Sequence, residues 1–207
     1  MPHRTNYQST IQLKLVMQAL QKQKLDMNLK YEEFLMREIV LETETSGITP
    51  GKDGYLVEIV CMEIVDGIAT GNVFHRLIKP REPISPDVAD FIGISNESVS
   101  DKPTFEQIAD DLVEFLSTSR IVSHNAPFDI PFINYELELL NRPKIEDDHD
   151  IVDTLAIVRS RFPNERGTIE ALAERFGIVL EQGAMSNAMY SARQVYEIYK
   201  YLVPQKV

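Results

Sequence analysis

The chain has 207 residues, 43% of them hydrophobic, and a formal net charge of −11. That length supports one good core and asks for no second full domain. Its single cysteine, Cys61, excludes a disulfide framework and a cysteine-based zinc site and suits a reducing cytosol. No apolar run approaches the roughly 20 residues of a membrane span, and no basic stretch leads into an apolar signal core. A soluble, cytoplasmic protein with no membrane partner is expected.

The charge is uneven. Residues 1–36 carry five basic and three acidic side chains, a net of +2, so the remainder carries −13. An acidic body repels phosphates, so contact with a polynucleotide needs bound cations or a partner that delivers the strand. The chain therefore divides into an N-terminal helical extension, 1–36, and a domain over 37–207. In the extension, Ser9 to Lys24 has helical spacing (Leu13, Val16, Met17, Leu20), and Ser9 with Gln12 fits a capping box. Its apolar stripe suits packing on the parent domain or docking of a protein partner.

Arg37 to Glu44, REIVLETE, predicts a buried strand ending in acidic residues. Tyr55 to Val65 is a second strand, Asp66-Gly67 a hairpin turn, and Ala69 to Ile78 a third strand, which together make a meander. Ser85-Pro86 opens a short helix, and Thr104 with Gln107 caps another that runs to about Leu116. Strand four is Arg120 to Ser123. It breaks at Asn125-Ala126-Pro127 into a stretch that reads as strongly amphipathic helix and places Asp129 at the junction. Further helices are expected over Asp153–Phe162, Thr168–Phe176 (stopped by Gly177) and Ser186–Leu202. A meander followed by alternating helices and strands gives a mixed α/β sheet with helices on its faces.

The acidic residues now acquire places. Glu42 and Glu44 are two apart on one strand, so they leave the same face at its carboxyl end, which is expected to open to solvent. Two like charges held side by side suit a divalent cation between them, and two solvated glutamates are the plain alternative. Asp129, at the head of a helix behind a buried strand, suits a metal ligand or a simple helix cap.

The segments IVLETETSG (39–47), GNVFHRLIKP (71–80), DKPTF (101–105), SHNAPFDIPFINYELELL (123–140), DTLAIVRSRFP (153–163) and QGAMSNAMYSARQVYEIY (182–199) resemble the DnaQ-type (DEDDh) 3′-5′ exonucleases. Within that family they most resemble the proofreading epsilon subunits of bacterial DNA polymerase III. The resemblance covers about residues 37–203 and implies a ribonuclease H-like fold with a five-stranded mixed sheet flanked by helices. It also implies two Mg²⁺ or Mn²⁺ ions that clamp the scissile phosphate, and a histidine that takes a proton from the attacking water. The family's first-motif aspartate and glutamate fall on Glu42 and Glu44, and its second-motif aspartate on Asp129. Its third-motif histidine and aspartate fall on Gln182 and Asn187. Thr45, Ser46, His124 and Asn125 resemble its substrate-binding groove.

Three of the five positions depart from the family. Glu42 adds a methylene, and misplacement on the order of 1 Å can cost about 10²-fold. Gln182 cannot act as a base, a loss that typically costs about 10²- to 10⁴-fold. Asn187 removes one charge from the metal cage and so argues against full occupancy of a two-ion site. His124, His149 and Tyr190 are the nearest substitute bases, and none stands at the matching position. The departures point to a weak or inactive pseudo-exonuclease that binds the 3′ end of a single-stranded nucleic acid with modest affinity, or a protein partner through residues 1–36. The alternative is an active metal-dependent 3′-5′ exonuclease. The epsilon subunits carry a polymerase-binding tail after this domain and the chain ends at Val207, so assembly with a polymerase is not expected.

Overall fold

The computed structural model describes residues 36–179 and 185–203. The N-terminal helix expected at Ser9–Lys24, and Gln182, lie outside the described residues. Five strands form one mixed sheet: β1 (Arg37–Thr45), β2 (Leu56–Val65), β3 (Ile68–Leu77), β4 (Arg120–Ser123) and β5 (Ile151–Asp153), in the spatial order β3-β2-β1-β4-β5. β1 pairs antiparallel with β2 and parallel with β4, so it is the central strand at which strand direction changes. The meander is as the sequence suggests: Asp66 and Gly67 both adopt positive φ, 49° and 79°, the conformation that closes a two-residue hairpin.

Helices cover both faces. Their described segments are α1 (Pro86–Ile92), α2 (Asn96–Val99), α3 (Phe105–Leu116), α4 (Ala126–Leu139), α5 (Ile145–Asp148), α6 (Thr154–Arg161), α7 (Ile169–Phe176) and α8 (Asn187–Leu202). Ile39, Val40 and Leu41 are all fully buried because β1 is covered on both sides, which is why its sequence runs apolar without alternation. Ile39 and Leu41 face α3 and α4 together with Ile59 and Cys61. Val40, Val60 and Val122 face α8 through Ala188, Ala192, Val195 and Tyr199, one stripe at helical spacing. No helix among the described residues is long and apolar enough to cross a membrane.

Four elements depart from the pattern reading. β5, α2 and α5 span three or four residues each, too few for a periodicity to register. α4 is not amphipathic. Ala126, Asp129, Ile130, Phe132, Ile133, Asn134, Glu136 and Leu137 are all buried, so it is enclosed on nearly every side. Its polar side chains look like a solvent face in sequence, but they are internally paired: Asn134 with Glu146 and the Ile145 N–H, and Glu136 with Arg81.

Candidate active site

The site lies where the carboxyl ends of the parallel neighbours β1 and β4 meet the head of α4. In open α/β sheets this crevice, where strand order reverses, is where ligands collect. The chain turns sharply at Asn125, whose φ of 76° and ψ of 50° place it in the left-handed region as the cap residue of α4. Its N–H donates to Asp153 Oδ1 at 3.0 Å, and the preceding His124 N–H donates to Glu42 Oε1 at 3.1 Å. One turn of backbone thereby joins β1, β4 and β5.

Asp129 is buried in the first turn of α4 and does not cap it. Its Oδ1 accepts from the Thr43 hydroxyl at 2.6 Å and its Oδ2 from the Ser123 hydroxyl at 2.8 Å. Burial pushes its pKa up to about 6, against the opposing pull of those two hydroxyls. Glu42 is also buried, at 7% exposure, which corrects the expectation of a solvent-facing strand end. Burial first, and then the Asp129 charge, hold it well above the usual carboxylate range. Glu44 is half-buried, and burial, the Glu58 charge and the Asp129 charge push it up to about 7. The structure thus brings Glu42, Glu44 and Asp129 into one electrostatic group.

Asn187 opens α8, and its Nδ2 donates to the Ile92 carbonyl at the end of α1, 3.0 Å away. Thr45 and Ser46 shape the β1–β2 loop: Thr45 Oγ1 donates to the Gly47 carbonyl at 2.7 Å, and Ser46 Oγ accepts from the Tyr55 N–H at 2.9 Å. His124 has both ring nitrogens engaged. The Gly167 carbonyl at 2.7 Å can only accept, so Nε2 carries the proton, and Nδ1 faces the Thr154 hydroxyl at 2.9 Å. Burial also lowers its pKa, so His124 is a neutral brace. His149 is half-buried, and its Nδ1 meets the Ser119 carbonyl ahead of β4, at the opposite end of that strand from Asp129.

Sequence reasoning missed the residues that hold these groups. Thr43 and Ser123 fix Asp129, and Asp153 fixes the α4 turn and caps α6 through the Leu155 N–H. Glu58 is fully buried, directly across the β1/β2 ladder from Glu44. The legible signal for Glu58 is a carboxylate in the middle of an apolar strand.

Among the described residues, no three His, Cys, Asp or Glu side chains converge as a closed metal cage. A hydrated divalent cation needs less, since Mg²⁺ keeps several waters and takes one or two carboxylates plus substrate phosphates. Glu44 fits that demand: it is half-buried, and Glu58 Oε2 is buried with no hydrogen-bond partner. A second ion fits poorly, because an amide tied to Ile92 stands where the resemblance expects a carboxylate. The donor set suits one hydrated cation at Glu44, whose charge would relieve the crowding of the neighbouring carboxylates.

Comparison with known proteins bears on the same segments. The exonuclease family model of the RNase T type matches residues 39–196. DNA polymerase III subunit epsilon of Rickettsia felis is 40% identical over 166 residues, covering 79% of this chain and 72% of that protein. The Escherichia coli subunit is 36% identical over 171 residues, covering 80% and 70%. The nuclease domain of 3′hExo, a DEDDh family member solved with rAMP, superposes with a TM-score of 0.68 at 10% identity, covering 82% of this chain and 92% of that one. That likeness concerns the fold alone. Since the family model spans the strand bearing Glu42 and Glu44, the junction bearing Asp129 and most of α8, the chain belongs to the DnaQ-type exonuclease family.

Proposed function

We propose that this chain binds the 3′ end of a single-stranded nucleic acid at the β1/β4 crevice, assisted by one divalent cation, Mg²⁺ or Mn²⁺, and hydrolyses it weakly or not at all. The observation that carries the reading is Asn187. By the resemblance it falls where the family has its last carboxylate, and its Nδ2 donates to the Ile92 carbonyl at 3.0 Å, which leaves a neutral amide oxygen in place of a charged metal ligand. Gln182, at the position of the family's general base, supports the reading on chemical grounds, because an amide takes no proton from water. The nucleotide seen with 3′hExo makes a nucleic-acid end the first candidate ligand for the crevice.

An active metal-dependent exonuclease is the second reading. It is favoured by the retained grouping of Glu42, Glu44 and Asp129. Fluorescence anisotropy on a 3′-labelled single strand tests the binding claim directly. Micromolar or weaker affinity that rises with Mn²⁺ is expected, and affinity that is absent with and without Mn²⁺ overturns the proposal.

A further inference from the structure

Glu58 is a fully buried carboxylate whose own role beside Glu44 is unassigned. Its Oε1 lies 2.6 Å from His75 Nε2, and its Oε2 is the buried side-chain polar atom among the described residues that has no hydrogen-bond partner. An unsatisfied buried carboxylate oxygen costs on the order of 1–3 kcal/mol or more, so a donor is expected to reach it in the working protein. The register places that donor. Glu44 and Glu58 are directly opposed in the antiparallel β1/β2 ladder, on the face that carries Val40 and Val60 toward α8. Directly opposed residues in such a pair have Cβ atoms about 4.5–5.5 Å apart, too close for two bare negative charges to be neutral toward one another.

His75 arrives from β3. A bulge between Met62 and Ile64 shifts the β2/β3 ladder, so His75 pairs with Val60 and reaches Glu58 diagonally. Its side chain is 38% exposed, and it clamps Glu58 Oε1 from the solvent side while Oε2 stays free. Glu58 is therefore oriented by one neighbour and left with an acceptor beside Glu44. A water molecule between Glu44 and Glu58 would satisfy Oε2, which no donor among the described residues reaches.

We infer that Glu58, clamped by His75, is a positioning residue that accepts a hydrogen bond from a water in the shell of a divalent cation held by Glu44. This rests on the reading that one cation binds at Glu44. Such outer groups typically set metal affinity by about 10- to 100-fold. The test is Mn²⁺ titration by calorimetry at pH 8 on the full chain, Glu58→Gln and His75→Phe, with thermal midpoints in chelator alongside.

Glu58→Gln, which keeps the shape and removes the charge, is expected to weaken Mn²⁺ binding about 10- to 100-fold without lowering the midpoint in chelator. His75→Phe, which frees Glu58 without touching its carboxylate, is expected to weaken binding less. Unchanged Mn²⁺ affinity in Glu58→Gln overturns the inference, and so does a midpoint loss with no change in affinity in either variant. A parent chain that binds the 3′-labelled strand but no Mn²⁺ also overturns it, and leaves the strand-binding proposal standing.

Discussion

The Thr43 hydroxyl donates to Asp129 Oδ1 at 2.6 Å, tying the acidic end of β1 to the helix that follows β4. Ser123 completes the arrangement on Oδ2. Both donors serve a buried carboxylate, so removing either takes one hydrogen bond from it in the interior and leaves it to the other hydroxyl and the Thr43 and Asp129 backbone N–H groups. Thr43→Val and Ser123→Ala are each expected to cost about 1–3 kcal/mol in urea unfolding. A cost below about 0.5 kcal/mol, the level of an ordinary surface substitution, would show that Asp129 is held by something else.

The crowded carboxylates predict the pH dependence of stability in chelator. In the folded state Glu44 is raised from 4.5 to about 7 and Asp129 from 3.8 to about 6. The folded protein therefore binds these protons more tightly than the unfolded chain does. Their stabilising contribution is complete at low pH and is lost as pH rises through the folded values. From these groups, the thermal midpoint in chelator is expected to fall between about pH 3.8 and 7, the window that the Asp129 and Glu44 values set together. Glu42→Gln removes one of the crowding charges and is expected to raise the midpoint at pH 8 while changing it little at pH 4.5. Equal effects at the two pH values would contradict the electrostatic assignment.

The loop behind Thr45 and Ser46 depends on close backbone approach. A Cβ on Gly47 would lie 2.0 Å from the Asp53 carbonyl oxygen, and a backbone atom cannot step aside as a flexible side chain can. Gly47→Ala is expected to destabilise the fold by about 1–3 kcal/mol, the usual range for overpacking. It should also weaken 3′-end binding, because Gly47 accepts the Thr45 hydroxyl. Chemical denaturation with strand anisotropy on the same sample reads both effects.

At the far end of β1, the Tyr199 hydroxyl donates to buried Glu38 Oε1 at 2.7 Å and anchors α8 across the sheet. Burial, and after it the Glu38 carboxylate, raise the Tyr199 pKa, which keeps the phenol a donor. Tyr199→Phe is expected to cost about 1.5–3 kcal/mol, the value of a hydrogen bond to a charged group. Strand binding should be unaffected, since this contact sits at the end of the sheet away from Asp129.

Sequence patterns showed the meander and the capped helices because each has a short-range signal, an Asp-Gly turn or a serine or threonine cap, whereas Glu42, Glu44 and Asp129 were grouped only by the family resemblance. What they missed depends on long-range register. Counting outward from Asp66-Gly67 puts His75 directly across from Glu58, yet the bulge shifts the pairing so that Glu58 opposes Leu77. Thr43 and Ser123 are too ordinary as residue types to announce a shared carboxylate 86 and six residues away, respectively. α4 misled in the opposite direction, because Asn134 and Glu136 look like a solvent face until their partners Glu146 and Arg81 are known.

Glu42, Gln182 and Asn187 are proposed to leave a site that binds a strand but turns it over poorly. Release of nucleotides from a 3′-labelled single strand in Mn²⁺, measured for this chain and for the triple variant Glu42→Asp, Gln182→His, Asn187→Asp, tests this most directly. Release by the parent at least about 10²-fold slower than by the triple variant is the expected result, the scale of restoring a general base. A parent chain that degrades the strand as fast as the triple variant would contradict the claim and make this an active 3′-5′ exonuclease with a different base.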